Sequence, residues 1–300
     1  MNIDKPPICS YEGSDYQVSF WEEGGRQYEH EAEGVALKRL LPESGRLFLE
    51  LGAGAGRNTP RYEAFKQIVL VDYSETQLQQ ARQRLGDSQR YRFVIADIYQ
   101  LPFVANLFDG ATMIRTLHHM IEPRQALGQV HRVLANRASF ILEFANKQNL
   151  KAILRFALKR QDWNPFAPEP VEFAPLNFDF HPATVRSWLL TSGFTIEKQL
   201  TVSHFRIDWL KRNLPLNLLV KLDSLAQLTG DLWQLSPSVF VGTRCKKPQD
   251  TAAAEGFFCC PACGASPLTE NAEQIVCPTC SNVYPIKDGI YDFRVLDSTG

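Results

Sequence analysis

GRLFLELGAGAGRNT, residues 45–59, joins a short apolar run to a cluster of glycines. Leu47, Phe48, Leu49 and Leu51 are bounded by Gly45 on one side and by Gly52, Gly54 and Gly56 on the other. Such a run predicts a central parallel strand, covered by helices on both faces and ending in a tight turn. Glycine has no Cβ, so a ligand can approach the backbone of that turn. A second apolar run, residues 68–71, ends at Asp72, twenty positions beyond Gly52 (72 − 52). A carboxylate at the carboxyl end of a strand can take a ribose diol. Turn and acid together predict an adenosine-type cofactor.

The glycine spacing narrows the choice. Dinucleotide binders use G-x-G-x-x-G, whose third glycine allows close helix packing while the helix N-terminus receives a pyrophosphate. Here Arg57 holds that third position. Glu50 lies two residues before the first glycine, where it would repel a pyrophosphate but could receive an ammonium group. That suits the methionine end of S-adenosylmethionine.

Four segments in order carry a resemblance: ELGAGAGR (50–57), VDYSETQLQQA (71–81), ADIYQLPFVANLFDGATMIRTLHHM (96–120) and ALGQVHRVLANRASFILEF (126–144). Together the chain resembles the class I S-adenosylmethionine-dependent methyltransferases, and among them the group that methylates small metabolites and quinones, over roughly residues 28–245. The resemblance implies that Gly52 and Gly54 line the methionine moiety, that Asp72 holds the ribose hydroxyls and that Asp97 with Ile98 meets the adenine. Glu50, Ala53, Tyr73 and Arg115 are counted in the same cofactor site. His118 and His119 follow strand four, where the family places residues facing the substrate; general base and structural hydrogen bond both stay open for them. No catalytic residue is assigned. The Asn/Asp-Pro-Pro-Tyr run of amino-group methyltransferases and a Pro-Cys nucleophile are both missing from this part of the sequence.

Composition fits a globular enzyme. Of 300 residues, 44% are hydrophobic, the formal net charge is −1 and the pI is about 6.6, so nothing global recruits nucleic acid or an anionic membrane. The start, MNIDKPPICSYEG, has neither a basic nor an apolar signal region, and no run approaches a spanning helix; a cytoplasmic location is expected.

Alternating elements predict an α/β fold, a doubly wound Rossmann-like sheet of seven strands whose ligands gather at the carboxyl ends. Helical periodicity covers residues 28–41, and a short helix is expected after the glycine turn, to about Phe65. A helix over residues 75–85 has Ser74 as its N-cap. Strands are expected at 91–96, 110–114 and 139–144, with a final pair at 194–204 and 238–244. Between them, a helix over 181–192 ends at Gly193, and a leucine-rich helical segment at 207–228 is broken by Pro215. Tyr16, Phe20, Trp21 and Tyr28 read as packing aromatics, although in the resembled family this segment often folds over the cofactor.

The insertion between the fifth strand and Pro182 should form a substrate lid. Its first part, KQNLKAILRFALKR (147–160), sets Lys147, Lys151, Arg155 and Lys159 four apart, opposite Leu150, Ile153, Leu154, Ala157 and Leu158. That is a basic amphipathic helix with no acid in it, either packed on its apolar side or docking an anionic or membrane-resident substrate.

Residues 246–256 read as a flexible linker. Beyond them, five of the seven cysteines fall within residues 259–280, and Cys260-Pro-Ala-Cys263 and Cys277-Pro-Thr-Cys280 are two C-x-x-C knuckles thirteen residues apart. In a chain read as cytoplasmic this pattern predicts a tetrahedral zinc site, not disulfides. A segment as short as 257–300 cannot bury enough core alone, so zinc would supply much of its folding free energy. It also resembles the small zinc-ribbon proteins that act as activating subunits of methyltransferases. Lys287 and Arg294 stand against Glu270, Glu273, Asp288, Asp292 and Asp297, a net of −3 that disfavours phosphate. The expected division is a methyltransferase domain at 1–245, the linker and a zinc ribbon. The expected function is methyl transfer from S-adenosylmethionine to a small-molecule acceptor. RNA- or ribosome-associated methylation and a non-catalytic cofactor-binding scaffold are the alternatives. Nucleic acid is not expected as a partner; the ribbon is expected to pack on or stabilise the catalytic domain, or to bind a protein partner.

Overall fold

The structure is a computed structural model that describes residues 6–14, 19, 21, 23–249, 253 and 255–294. From the amino end come α1 (Gln27–Leu40), β1 (Gly45–Leu51), β2 (Phe65–Asp72), α2 (Glu75–Leu85), β3 (Tyr91–Ile95) and β4 (Phe108–Met113). The middle of the chain supplies α3 (Pro123–Val133), β5 (Leu134–Ala145), α4 (Leu150–Ala157), β6 (Val171–Ala174), β7 (Asn177–Asp179) and α5 (Pro182–Thr191). Then follow β8 (Phe194–Val202), α6 (Asp208–Asn213), α7 (Leu216–Ala226) and β9 (Ser238–Cys245). The last strands are β10 (Thr269–Glu270), β11 (Gln274–Val276), β12 (Val283–Lys287) and β13 (Ile290–Asp292).

Seven strands form the expected doubly wound sheet in the order β3-β2-β1-β4-β5-β9-β8. β1, β2, β3, β4 and β5 run parallel, and β9 is antiparallel to both its neighbours. β1 is central because its apolar run is buried on both faces: Leu47, Leu49 and Leu51 join the core under α3, while Phe48 packs with Ile68 and Leu70 on the other side. Ser74 caps α2 as expected, its hydroxyl accepting from the Gln77 amide at 3.3 Å.

Two sequence expectations change. The helix after the glycine turn is only a three-residue 3-10 turn, Thr59–Arg61. Eight residues, 57–64, separate Gly56 from β2, and Pro60 withholds one amide, so the chain closes with i→i+3 bonds from Arg61 to Asn58 and from Tyr62 to Thr59. The basic helix is also shorter than its pattern. Lys147 precedes α4 and is buried, its ammonium donating to the carbonyls of Ala167 at 2.9 Å and Glu169 at 2.6 Å. Of the two readings of this helix, packing on the apolar side does not hold for Leu150, Leu154 and Leu158, which are exposed.

The cysteine-rich segment extends the sheet. β10 to β13 form an antiparallel meander, and β13 lies parallel along β3, so eleven strands share one sheet. Phe258 stacks on Phe103 at 5.7 Å between centroids, and both belong to the same buried core as Tyr284 and Phe293. The Cys259 amide donates to the Pro102 carbonyl at 3.0 Å, and Phe293 to Ile95 at 2.8 Å. In the stretch before it, the Lys246 amide donates to the Gly193 carbonyl and that of Lys247 to the Asn136 side chain.

Candidate functional site

The carboxyl ends of β1, β2 and β4 open into one cavity enclosing about 1060 Å³ of non-protein space, part of it open to solvent. Glu50, Gly52, Ala53, Gly54, Asp72, Tyr73, Ile98 and Arg115 all line it. Asp97 does not: its carboxylate caps the next turn, accepting from the Tyr99 amide at 2.8 Å, while its neighbours Ala96 and Ile98 face the cavity.

The turn after β1 is built for close approach. Gly52 has φ +64°, and a Cβ there would stand 2.0 Å from the Thr116 hydroxyl oxygen. Gly54 has φ +52°, with the nearest atom to a Cβ, Gln77 Oε1, at 3.7 Å, so its backbone looks into open space. Asp72 holds the turn in place, Oδ2 accepting from the Gly54 amide at 2.8 Å and Oδ1 from the Ser74 amide at 3.0 Å. Burial raises its carboxyl above the usual range, against the pull of those amides.

Glu50 sits at the floor, buried, with Oε2 accepting from the Thr59 hydroxyl at 2.6 Å. Burial pushes its carboxyl up to about 7. A buried acid so poorly compensated suits a cation, and with the open glycine backbone it makes a donor and acceptor set that fits an amino-acid end joined to an adenosine.

Above it, Arg57 and Arg115 converge on the fully buried Glu33, Arg57 Nη2 at 2.7 Å from Oε2 and Arg115 Nε at 2.6 Å from Oε1. Burial disfavours the Glu33 charge, yet the Arg115 and Arg57 guanidiniums overcome it and hold the carboxyl down to about 2. Trp21 lies under both, 3.5 Å from the Arg57 guanidinium and 4.8 Å from that of Arg115. Arg115 thus closes an ion pair inside the fold and still borders the cavity. Glu33→Gln is expected to cost about 3 kcal/mol or more in urea unfolding, because two largely buried cations lose their counter-ion; a change below about 1 kcal/mol would contradict this. The folded value is depressed, so the contribution is present above the ordinary carboxylate range and is lost as pH falls toward about 2.

The outer wall joins distant segments. His119 donates from Nδ1 to the Leu176 carbonyl at 3.0 Å in the β6–β7 hairpin, which leaves Nε2 to accept from the Tyr11 hydroxyl at 3.1 Å. Burial lowers the affinity of both His118 and His119 for a proton, keeping the rings neutral. Ile8, Tyr11, Trp21 and Met120 line the same cavity. Sequence reasoning missed Ile8, Tyr11 and Arg57 as cavity residues and gave Trp21 a packing role. Tyr28 does pack, its hydroxyl donating to Asp223 at 2.8 Å; Tyr16 and Phe20 lie outside the described residues.

On the far edge, Cys260, Cys263, Cys277 and Cys280 bring their sulfurs within 4.8 Å of one another. Cys260 and Cys280 are 3.6 Å apart, and Cys263 and Cys277 are 3.5 Å apart, spacings that fit four thiolates around one tetrahedral ion. The Tyr284 hydroxyl lies 3.1 Å from Cys260 Sγ, and the Cys280 amide donates to Cys277 Sγ at 3.5 Å. Both are donors of the kind that steady a thiolate. Cys259 lies outside the cluster, its Sγ 3.1 Å from the Phe103 carbonyl.

Known proteins agree with this geometry. A family model described as a methyltransferase domain matches residues 49–142, and one described as Trm112p-like protein matches residues 257–289. The demethylmenaquinone methyltransferase of Clavibacter sepedonicus is 36% identical over 171 residues, 52% of this chain and 69% of that protein. The O-methyltransferase cnsE of Penicillium expansum is 34% identical over 134 residues, 41% of this chain; the chain spans about half, 48%, of that protein's length. Among solved structures, one from the complex of the Haloferax volcanii Trm112 methyltransferase activator with its candidate methyltransferase shares the fold at a TM-score of 0.55. It is 15% identical and covers 77% of this chain and 95% of its own. An S-adenosylmethionine-dependent methyltransferase of Thermotoga maritima gives the same TM-score at 19% identity, covering 77% of this chain and 95% of its own. Motif order, sheet order and the length of the Clavibacter match converge: the chain belongs to the class I S-adenosylmethionine-dependent methyltransferases, extended by a Trm112p-like domain.

Proposed function

We propose that this chain transfers the methyl group of S-adenosylmethionine to a small, largely apolar acceptor, and that its four clustered cysteines hold a structural zinc ion. One observation carries the first part: the glycine turn with Asp72 and the neutral His119 with Tyr11 and Met120 border a single cavity. The turn at Gly52 and Gly54 and the carboxylate of Glu50 would take the methionine end, Asp72 the ribose hydroxyls, and Ala96 and Ile98 the adenine. When bound, S-adenosylmethionine supplies an electrophilic methyl on a sulfonium. The chain needs only to align an acceptor, exclude water and receive a proton. Ile8, Trp21 and Met120 supply apolar walls. His119 Nε2, its tautomer fixed by the Leu176 carbonyl, is the atom that would accept a proton from an acceptor hydroxyl or from Tyr11. The names of the Clavibacter and Penicillium relatives, one a quinone methyltransferase and one an O-methyltransferase, support an acceptor of this class.

With radiolabelled S-adenosylmethionine and a panel of quinols, phenols and catechols beside bulk RNA, label is expected on a small acceptor; label on RNA alone would overturn the reading. A pH dependence follows from Glu50. It must be ionised to receive an ammonium group, and its carboxyl stands at about 7, so affinity for S-adenosylhomocysteine is expected to rise by up to about tenfold from about pH 6 to about pH 8. Glu50→Gln should flatten that profile, and an unchanged profile in this variant would remove Glu50 from the site.

A further inference from the structure

One face of the molecule is apolar and turned to solvent. On α7 and the turn after it, Leu218, Leu222, Leu225, Leu228 and Leu232 follow each other at intervals of three and four, the period of one helical edge. All five are exposed, Leu225 at 68% and Leu232 at 78%. The core-facing edge of the same segment is different: Leu219, Asp223 and Gln227 are buried, with Gln227 bonded to the Ala32 carbonyl of α1. The helix therefore already has its core contact, and the leucines form a second apolar stripe. Trp209, 64% exposed, precedes the stripe and Trp233, 55% exposed, ends it.

α4 adjoins the end of this stripe at Leu235. The Leu150 amide donates to the Leu235 carbonyl at 2.9 Å, which ties the start of α4 to the segment just past Trp233. Leu150, Leu154 and Leu158 recur every four residues and are exposed, as is Leu235. Lys151, Arg155 and Lys159 recur one position later, so a cationic stripe runs beside the apolar one, and Arg160 extends it. No acid interrupts residues 147–161, and Arg212 and Lys221 add exposed cations on α6 and α7. Asp208 and Asp231 are the exposed acids of residues 207–235, and Asp231 is engaged, accepting from the Gln199 amide at 2.8 Å. In a chain of net charge −1 this local excess of cations has a direction.

Leucines and tryptophans at the surface, rimmed by lysine and arginine, match the chemistry of a bilayer interface, where apolar side chains enter the acyl boundary and cations meet anionic headgroups. No helix among the described residues is long and apolar enough to cross a membrane. We propose that this face docks the protein onto an anionic lipid bilayer, lying on it without spanning it. The face belongs to the working end of the sheet. α4 follows the carboxyl end of β5, where Ala145 pairs with Ser238, and Asn146 bonds the carbonyls of Gln234 and Ser236. Docking there brings the lipid phase to the edge of the sheet from which the insertion at residues 146–181 leaves.

The full chain, loaded with zinc, is sedimented with vesicles of phosphatidylcholine alone and of phosphatidylcholine mixed equally with phosphatidylglycerol. Binding is expected to the mixed vesicles, about tenfold or more above the neutral ones, and to weaken with salt. Leu222→Gln, Leu225→Gln and Trp233→Ser combined should lower binding about tenfold or more. Lys151→Gln, Arg155→Gln and Lys159→Gln combined should abolish the preference for the anionic vesicles. S-adenosylhomocysteine affinity, unchanged in both variants, checks that they fold, and vesicle binding by the unaltered chain needs no methyltransferase activity. Failure of the unaltered chain to bind the mixed vesicles would overturn the proposal, as would apolar variants that bind like it. Equilibrium sedimentation covers the other occupant: a dimer lost in the apolar variant, without vesicle binding, would assign the face to a second copy of the chain.

Discussion

The unaltered chain is expected to bind one zinc ion, and Cys263→Ser combined with Cys277→Ser is expected to abolish that binding and to lower the melting temperature by about 10 °C or more. The effect is large because the segment has little core of its own. Metal ligation in small zinc domains is worth on the order of 10 kcal/mol at neutral pH, and that ligation free energy is folding free energy. Here part of the loss is offset, since Phe258, Tyr284 and Phe293 pack into the same core as Phe103 and β13 extends the edge of β3. The variant should therefore melt earlier without unfolding outright at room temperature. Metal analysis by mass spectrometry and calorimetry would check both halves, and full zinc retention in the double variant would contradict the four-cysteine site.

Asp72→Ala is expected to weaken cofactor affinity by about 100-fold. Two losses add. A ribose diol loses a charged acceptor, for which hydrogen bonds are worth about 1.5–3 kcal/mol each. In addition, the Gly54 and Ser74 amides lose the carboxylate that holds the glycine turn. Asp72→Asn keeps the shape and one acceptor atom, so its loss should be nearer about tenfold. Unchanged affinity in the alanine variant would show that the adenosine does not lie at the end of β2.

How much of this was legible in the sequence differs by element. The run at Leu47, Phe48, Leu49 and Leu51 placed the central strand because burial on both faces leaves no polar alternation to misread. Ser74 marked the start of α2 through its capping hydroxyl, and Pro215 the break between α6 and α7, because both act through local backbone chemistry. Long-range partners left less trace. Tyr11 meets His119 across 108 positions, and no spacing rule reaches that far. Lys147 fell on the cationic period of the following helix, but the Ala167 and Glu169 carbonyls of the insertion bind its ammonium and draw it inside. The pairing of β13 with β3 is made by backbone groups, which carry no side-chain signature, although the Phe257-Phe258 doublet just before the first cysteines was a visible anchor. At Asp97 local chemistry is the visible part: the acid at the strand end caps the turn that follows it, between Ala96 and Ile98, which line the cavity.

The central claim is that the cavity at the ends of β1 and β2 is built for S-adenosylmethionine, and calorimetric titration of the zinc-loaded chain with S-adenosylhomocysteine tests it most directly, with NAD as the control ligand. The geometry of Gly52, Gly54, Glu50 and Asp72 predicts one site per chain, micromolar affinity for S-adenosylhomocysteine and no heat with NAD. No binding of S-adenosylhomocysteine by the folded chain, or equal binding of NAD, would contradict it.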